Sequence, residues 1–255
     1  MSTNLLKQME EGMSSFSKGQ RQIATYIMEH YEKAAYMTAA RLGATVNVSE
    51  STVVRFATEL GFEGYPEFQR AIQAIIRNRL TSFQRIEVTN QLIGDSNVVE
   101  KILIADADKS RHTAEDIDRD AFDRAVEAML KAKKIYIMGV SSSAHLAGFL
   151  DMGMRRMFDN VKMIQSTAGS EVFEQMINIG PGDVLVAISF PRYSKRVVTA
   201  VEFAHNVGAN VICLTDSPQA PIAAHADQLL TAHTDMASLV DSLVAPLSII
   251  NALIV

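Results

Sequence analysis

The second half of the chain contains five short apolar runs separated by helix-like segments. The runs are residues 135–138, 161–164, 183–188, 210–214 and 228–231. Apolar runs of this length that alternate with helical segments predict parallel strands covered by helices on both faces. For residues 121–255 we therefore expect an α/β domain with a parallel sheet and helices on both sides.

The first 80 residues have a different pattern, in which residues 38–61 predict two helices joined by a tight turn at Asn47. Ser49 is placed to cap the second helix, because its hydroxyl can accept from a backbone N–H without a helical partner. Gly61 ends that helix, since glycine tolerates the left-handed conformation after a C-cap. An all-α helix-turn-helix domain is therefore expected over residues 1–80, and a helical hairpin with a solvated face is the alternative.

The outward face of the second helix is polar and suits the major groove of DNA, where donors and acceptors meet phosphates and base edges. The DNA-binding residues predicted from this region are Ser49, Ser51, Thr52, Arg55, Thr58 and Tyr65. Charge placement agrees with this assignment. The chain has a net charge of −5, but residues 1–80 carry nine basic and eight acidic side chains, against 15 and 21 in the remainder.

Cysteine content and the chain ends bear on where the protein works. Cys213 is the single cysteine, which excludes an intrachain disulfide and predicts a reducing, cytoplasmic setting. The first residues lack the apolar segment of a signal peptide. Residues 236–255 are mostly apolar but are interrupted by Asp241, Pro246 and Asn251, so we expect a buried core or oligomer helix and no membrane span. Val255 ends the sequence without a cap, which predicts that the natural chain continues.

Between the two predicted domains, residues 81–120 are rich in charge and only weakly periodic. We interpret them as a linker containing one or two helices.

Hydroxyl residues follow the predicted strands, and the carboxyl ends of parallel strands are where ligands bind in open α/β sheets. Hydroxyls and backbone N–H groups at helix N-termini favour anions, although Ser and Thr also serve as ordinary N-caps. The ligand-binding residues predicted at these ends are Ser141, Ser142, Ser143, Ser166, Glu171, Ser189, Arg192, Ser194 and Lys195. Residues 139–143 lack the spacing of a dinucleotide-binding loop, and no metal or nucleotide motif is present, so no cofactor and no metal are predicted.

The two halves together resemble the RpiR-type bacterial transcriptional regulators. The resemblance rests on residues 48–56 and 60–68 in the N-terminal domain, and on residues 135–143, 183–195 and 214–218 in the sugar isomerase (SIS) domain. It implies that the SIS domain senses a phosphosugar or a related polyol or anion, and that the protein is a homodimer or homotetramer through that domain. It also implies that the serines of the two loops line the ligand pocket and that the second helix faces double-stranded operator DNA.

One loop departs from the family pattern. The usual phosphate loop reads Ser-x-Ser-Gly-x-Thr, whereas this chain has Ser-Phe-Pro-Arg-Tyr-Ser at 189–194. Pro191 replaces a hydroxyl and loses a donor, while Arg192 replaces the glycine and can supply a charged donor.

SIS domains also occur in aldose–ketose isomerases, so catalysis is the alternative function. An isomerase needs a general base and a general acid near the substrate carbon, and the candidates here are Glu171, Glu174 and His145. The fused helix-turn-helix favours a regulator of carbohydrate metabolism that is not an enzyme. Dimeric readers of this kind bind palindromic sites.

Overall fold

The computed structural model describes residues 2–77, 97–165, 169–234 and 241–255. The chain divides into two compact units, residues 1–94 and 95–255, and each has its own buried core. Within the described ranges, no helix combines the length and the apolar character needed to cross a membrane.

The N-terminal unit is helical throughout its described part. Its helices are α1 (Ser2–Gly12), α2 (Lys18–Glu29), α3 (Tyr31–Ala34), α4 (Ala39–Thr45), α5 (Glu50–Glu59) and α6 (Tyr65–Arg77). Phe56 on α5 lies at the centre of the core, in edge-to-face contact with Phe16 at 5.2 Å and with Phe68 at 5.9 Å between ring centroids. Such pairs stabilise a core beyond their buried area, and they fix which face of α5 points inward.

Helices α4 and α5 form the predicted helix-turn-helix. Asn47 has a φ of 56° in the turn, and Gly61 has a φ of 92° after α5, so both sequence expectations are confirmed. Ser49 caps α5 by accepting from the Thr52 N–H. Gly43 allows the close approach of the two helices, because a Cβ there would lie 2.8 Å from the Val48 carbonyl oxygen.

The C-terminal unit alternates strands and helices. Its elements are α7 (Val98–Asp116), α8 (Arg119–Lys131), β1 (Ile135–Gly139), α9 (Ser142–Met154), β2 (Val161–Ile164), α10 (Gly169–Met176), β3 (Val184–Ile188), α11 (Lys195–Asn206), β4 (Asn210–Thr215), a 3₁₀ turn (Ala223–His225), β5 (Gln228–Thr231) and α12 (Val244–Ile254).

The five strands form one parallel sheet in the order β2-β1-β3-β4-β5. Ile135 of β1 is opposite Val161 on one side and Val184 on the other. The chain therefore moves one way from β1 to β2 and the opposite way from β3 onward. This reversal makes the β1/β3 pair the switch point, where the connecting helices lie on opposite faces and leave a crevice.

Apolar side chains cover both faces of the sheet. One face packs against α8, α9 and α12, and the other packs against α10 and α11. This three-layer arrangement confirms the predicted fold class.

Helix α7 lies inside the segment predicted as a linker and packs against α12. The His233 N–H, just after β5, donates to the buried Thr113 hydroxyl of α7 at 2.9 Å. The described part of the predicted linker is therefore part of the C-terminal unit. Of the apolar stretch 236–255, residues 241–255 are described, and they contain the 11-residue helix α12.

Candidate ligand pocket and DNA-facing helix

The loops after β1 and β3 meet at the switch point and form a small pocket of about 40 Å³. Sequence reasoning predicted most of its lining but missed Val140, Phe190 and Pro191, whose apolar side chains gave no signal. The lining residues are Val140, Ser141, Ser142, Ser143, Ser189, Phe190, Pro191, Arg192 and Ser194. Serines from two separate loops are thus brought together.

Two of these serines are buried residues whose hydroxyls make no hydrogen bond among the described residues. Ser143 and Ser189 each expose 4% of their surface. Neither hydroxyl makes a hydrogen bond within the described part of the chain. Neither Oγ atom is among the fully buried polar atoms without a partner, so both hydroxyls are accessible and can donate to the acceptor oxygens of a ligand in the pocket.

The helices on each side of the pocket begin at serines that do not cap them. Elsewhere, Thr38, Ser49 and Asp118 accept from the backbone N–H groups of their own helices. Ser141 before α9 and Ser194 before α11 make no such bond. The N-terminal N–H groups of both helices carry partial positive charge, so the pocket can stabilise an anion from two directions.

Ser141 and Arg192 have strained backbones. Ser141 has a φ of 60° and a ψ of −127°, and Arg192 has a φ of 69°. Residues with a Cβ rarely adopt positive φ, and such outliers cluster at ligand-binding sites. Arg192 occupies the glycine position of the family pattern and holds a positive φ, which glycine adopts without strain.

The remaining predicted ligand residues lie outside the small pocket. Lys195 is exposed in the first turn of α11 and does not line it. Glu171 is exposed on α10 and lines a neighbouring open groove of about 930 Å³. Ser166 falls outside the described residues.

The groove shares Val140 and Ser141 with the small pocket. Its other lining residues are Gly139, Ala144, His145, Gly148, Met163, Ile164, Gln165, Glu171 and Arg196. Gln165 was not among the predicted site residues, although it is adjacent along the chain to the predicted Ser166. The pair of cavities can hold a ligand with a small anionic group and a larger polar body.

The predicted DNA-facing residues lie mostly on the outer surface of α5. Ser51, Arg55 and Thr58 are exposed, and Thr52 is half-buried. The Ser49 hydroxyl lies 2.9 Å from the Ser51 hydroxyl and 2.8 Å from that of Thr52. The start of α5 therefore presents a cluster of three hydroxyls, with Arg55 one turn further along.

Tyr65 departs from this arrangement. It is 6% exposed, and its hydroxyl donates to the Met37 carbonyl at 2.7 Å. Burial raises the pKa of Tyr65 to about 12. Tyr65 is thus a core residue that joins α6 to the segment before α4, and the structure gives no support to its prediction as a DNA contact.

Other reactive side chains do not form a site among the described residues. No group of three or more His, Cys, Asp or Glu side chains is arranged to hold a metal ion there. Cys213 is buried, and its thiol donates to the Ile222 carbonyl at 3.3 Å. Burial, and secondarily the charge of Asp227, raise the pKa of the thiol to about 12, so it is a poor nucleophile at neutral pH.

Comparisons with known protein families divide the chain in the same way. The SIS domain model matches residues 128–255. The model for the helix-turn-helix domain of the rpiR family matches residues 3–78.

Two of the similar proteins extend over nearly the whole chain, and a third covers the C-terminal part. The HTH-type transcriptional regulator HexR of Escherichia coli is 29% identical over 258 residues, covering 98% of this chain and 86% of that protein. The Vibrio vulnificus NanR protein complexed with ManNAc-6P has a TM-score of 0.58 and 24% identity, covering 98% of this chain and 89% of that one. The sugar isomerase domain of an RpiR transcription factor from Sphaerobacter thermophilus has a TM-score of 0.59 and 25% identity, covering 62% and 88%.

Proposed function

The chain belongs to the SIS-domain family and carries an rpiR-family helix-turn-helix domain, and we propose that an anion at its switch-point pocket controls DNA binding by α5. The protein is a transcriptional regulator. Residues 1–80 bind operator DNA and residues 121–255 bind the effector. Residues 81–120 join them, and residues 97–120 belong to the C-terminal unit. As a regulator of bacterial type, it acts in the cytoplasm.

The observation that carries the proposal is the pocket itself. Ser143 and Ser189 line it and are each 4% exposed, and neither hydroxyl makes a hydrogen bond among the described residues. Two helix N-termini and Arg192 add positive potential. This chemistry suits a phosphate or another small polyoxyanion.

The effector is a sugar phosphate in this proposal. The groove beside the pocket is large enough for a sugar and offers polar groups at Gln165 and Glu171. NanR, which shares the fold, is complexed with ManNAc-6P. We infer that the phosphate occupies the serine pocket and that the sugar lies in the groove.

At the DNA end, the proposed contacts are Ser49, Ser51, Thr52, Arg55 and Thr58. Hydroxyls at a helix N-terminus suit phosphate oxygens, and an exposed arginine can reach a base edge in the major groove. The exposed positions on α5 support this assignment.

Control of DNA binding requires that the effector bind one domain arrangement better than another. A homodimer or homotetramer through the SIS domain provides such arrangements, because it fixes the distance between two DNA-reading helices. We propose that α9 and α12 contribute to this assembly. Met152 on α9 and Met157 just after it are about half-exposed, at 48% and 51%, which supports a contact there.

Effector binding is tested by thermal shift with a panel of aldose and ketose phosphates and the corresponding free sugars. One phosphate should stabilise the protein and its free sugar should not. Ser189→Ala should weaken binding by about 1.5–3 kcal/mol, the range for a hydrogen bond to a charged group. Ser110→Ala, on α7, is the matched control. Failure of every phosphate to bind would exclude the proposed effector class.

DNA binding is tested by gel shift with the region upstream of the protein's own gene. Arg55→Ala should weaken binding by about 1–3 kcal/mol if it reads a base. Arg156→Ala, an exposed arginine of the C-terminal unit, should leave it unchanged. Equal affinities for the two variants would remove Arg55 from the interface.

Isomerisation is the rival function, and His145 and Glu171 do line the same groove. It is tested by following each stabilising sugar phosphate by NMR in the presence of the protein. Binding without conversion supports a regulator, whereas catalytic turnover would support an isomerase.

A further inference from the structure

The residue after Arg192 anchors its loop to the neighbouring strand. The Tyr193 hydroxyl donates to the Asp216 carboxylate at 2.7 Å. Asp216 directly follows β4 and also accepts from the hydroxyl of Thr215, which is fully buried. A side chain of the ligand loop is thus fixed to the rigid end of the sheet.

This bond lies next to the strained residue of the pocket. Arg192 holds a φ of 69°, a conformation that persists only where the surrounding structure enforces it. Pro191, on one side of Arg192, is buried. Tyr193, on the other side, is held by Asp216. The two neighbours together leave the Arg192 backbone little freedom to relax to negative φ.

We propose that Tyr193 and Asp216 are positioning residues for anion binding. Their hydrogen bond keeps Arg192 in the left-handed conformation, and this conformation presents the Arg192 side chain to the serine pocket. The inference rests on the proposed function, since it concerns the same anion site. It adds that Arg192, which stands at the family's glycine position, contributes to anion binding only while the Tyr193–Asp216 hydrogen bond is present.

A direct role for Tyr193 is not supported by the geometry. Neither Tyr193 nor Asp216 lines the small pocket or the groove. Their effect on a ligand would therefore pass through Arg192, and this coupling distinguishes a positioning role from general support of the fold.

The experiment is a double-mutant cycle on the full chain, with inorganic phosphate as the probe in calorimetric titrations. Tyr193→Phe should weaken phosphate binding about three- to tenfold, as expected for one net hydrogen bond. Asp216→Ala should do the same. Asp216→Asn should restore affinity to within about twofold, because the amide oxygen can still accept from the tyrosine.

The second arm combines Tyr193→Phe with Arg192→Gly. Glycine adopts positive φ without support, so Tyr193→Phe should have little further effect on phosphate affinity in that background. Where phosphate binding is too weak for calorimetry, the same cycle is measured as the rise in melting temperature that phosphate produces in each variant. Tyr65→Phe, which removes a tyrosine hydrogen bond of equal length in the other unit, is the control and should leave phosphate affinity unchanged.

The outcomes separate this inference from the proposed function. Suppose that the wild type binds phosphate and that Tyr193→Phe lowers phosphate affinity equally in the wild type and in the Arg192→Gly variant. The positioning role is then overturned, and the anion site stands. If the wild type binds neither phosphate nor any sugar phosphate, both fail. Coupling together with rescue by Asp216→Asn supports the inference.

Discussion

Ser141 and Arg192 lie on different loops, and both hold positive φ angles, 60° and 69°, at the same pocket. A left-handed conformation costs a residue with a Cβ about 1–2 kcal/mol. The C-terminal unit therefore holds backbone strain on both sides of its proposed anion site. Strain of this kind is expected to trade stability for binding.

Arg192→Gly should raise stability and lower ligand affinity at once, and Arg192→Ala separates the two effects. Alanine keeps the strain and loses the charge, whereas glycine loses both. Urea unfolding should give a free energy about 1 kcal/mol higher for the glycine variant than for the alanine variant. Both variants should bind the stabilising sugar phosphate more weakly than the wild type. Equal stabilities would mean that the loop relaxes, and wild-type affinity in either variant would remove the Arg192 charge from the site.

In the helix-turn-helix, Gly43→Ala should destabilise the N-terminal unit by about 1–3 kcal/mol. The added Cβ would lie 2.8 Å from the Val48 carbonyl oxygen and 3.3 Å from the Glu50 nitrogen, both of them backbone atoms. Helix α5 would have to move away from α4, so operator affinity should fall as well. Gly64→Ala is the control, since its Cβ would meet only Pro66 Cδ, at an ordinary 3.7 Å. Circular dichroism melts and gel shifts measure both effects, and equal results for the two variants would contradict the packing argument.

Much of the fold was predictable because it follows from the conformational preference and hydrophobicity of individual residues. Asn47 and Gly61 mark turns because their preference for positive φ is intrinsic. The central strands β1, β3 and β4 were evident because they are almost entirely buried and apolar. The order of the strands was not predictable, since nothing local to β2 or β3 states on which side of β1 it pairs. That order brings Ser141–Ser143 beside Ser189–Ser194, so the site could be predicted only as a set of separate loops.

The features that the sequence did not predict depend on tertiary contacts. Tyr65 is amphipathic, and its sequence position does not show whether its hydroxyl meets DNA or the Met37 carbonyl. The φ of Arg192 is likewise set by its surroundings in the fold, because arginine by itself favours negative φ.

Alkaline pH should destabilise the wild type more than Tyr65→Phe. Burial raises the Tyr65 pKa from 10.0 to about 12, so between these values the unfolded chain loses a proton that the folded chain retains. The contribution of the protonated Tyr65 phenol to the free energy of unfolding is complete below pH 10 and is lost as the pH rises towards 12. Urea unfolding at pH 9 should give the wild type a free energy of unfolding about 1 kcal/mol above that of Tyr65→Phe, because of the hydrogen bond. At pH 11.5 this difference should be smaller. A constant difference would mean that the phenol titrates alike in both states.

Cys213 should report on opening of the C-terminal unit, because it is the single cysteine and is buried in β4. Its pKa of about 12 leaves almost no thiolate at pH 8, and attack on a disulfide reagent requires both thiolate and access. The native protein should react slowly with Ellman's reagent, and the urea-unfolded chain should react at once.

A ligand that binds the folded state lowers the population of the open state as its occupancy rises. The stabilising sugar phosphate should therefore slow labelling further, and the Ser189→Ala variant should lose most of that protection. Rapid labelling of the native protein would show that β4 opens without global unfolding. Protection that persists in Ser189→Ala would place the ligand away from the serine pocket.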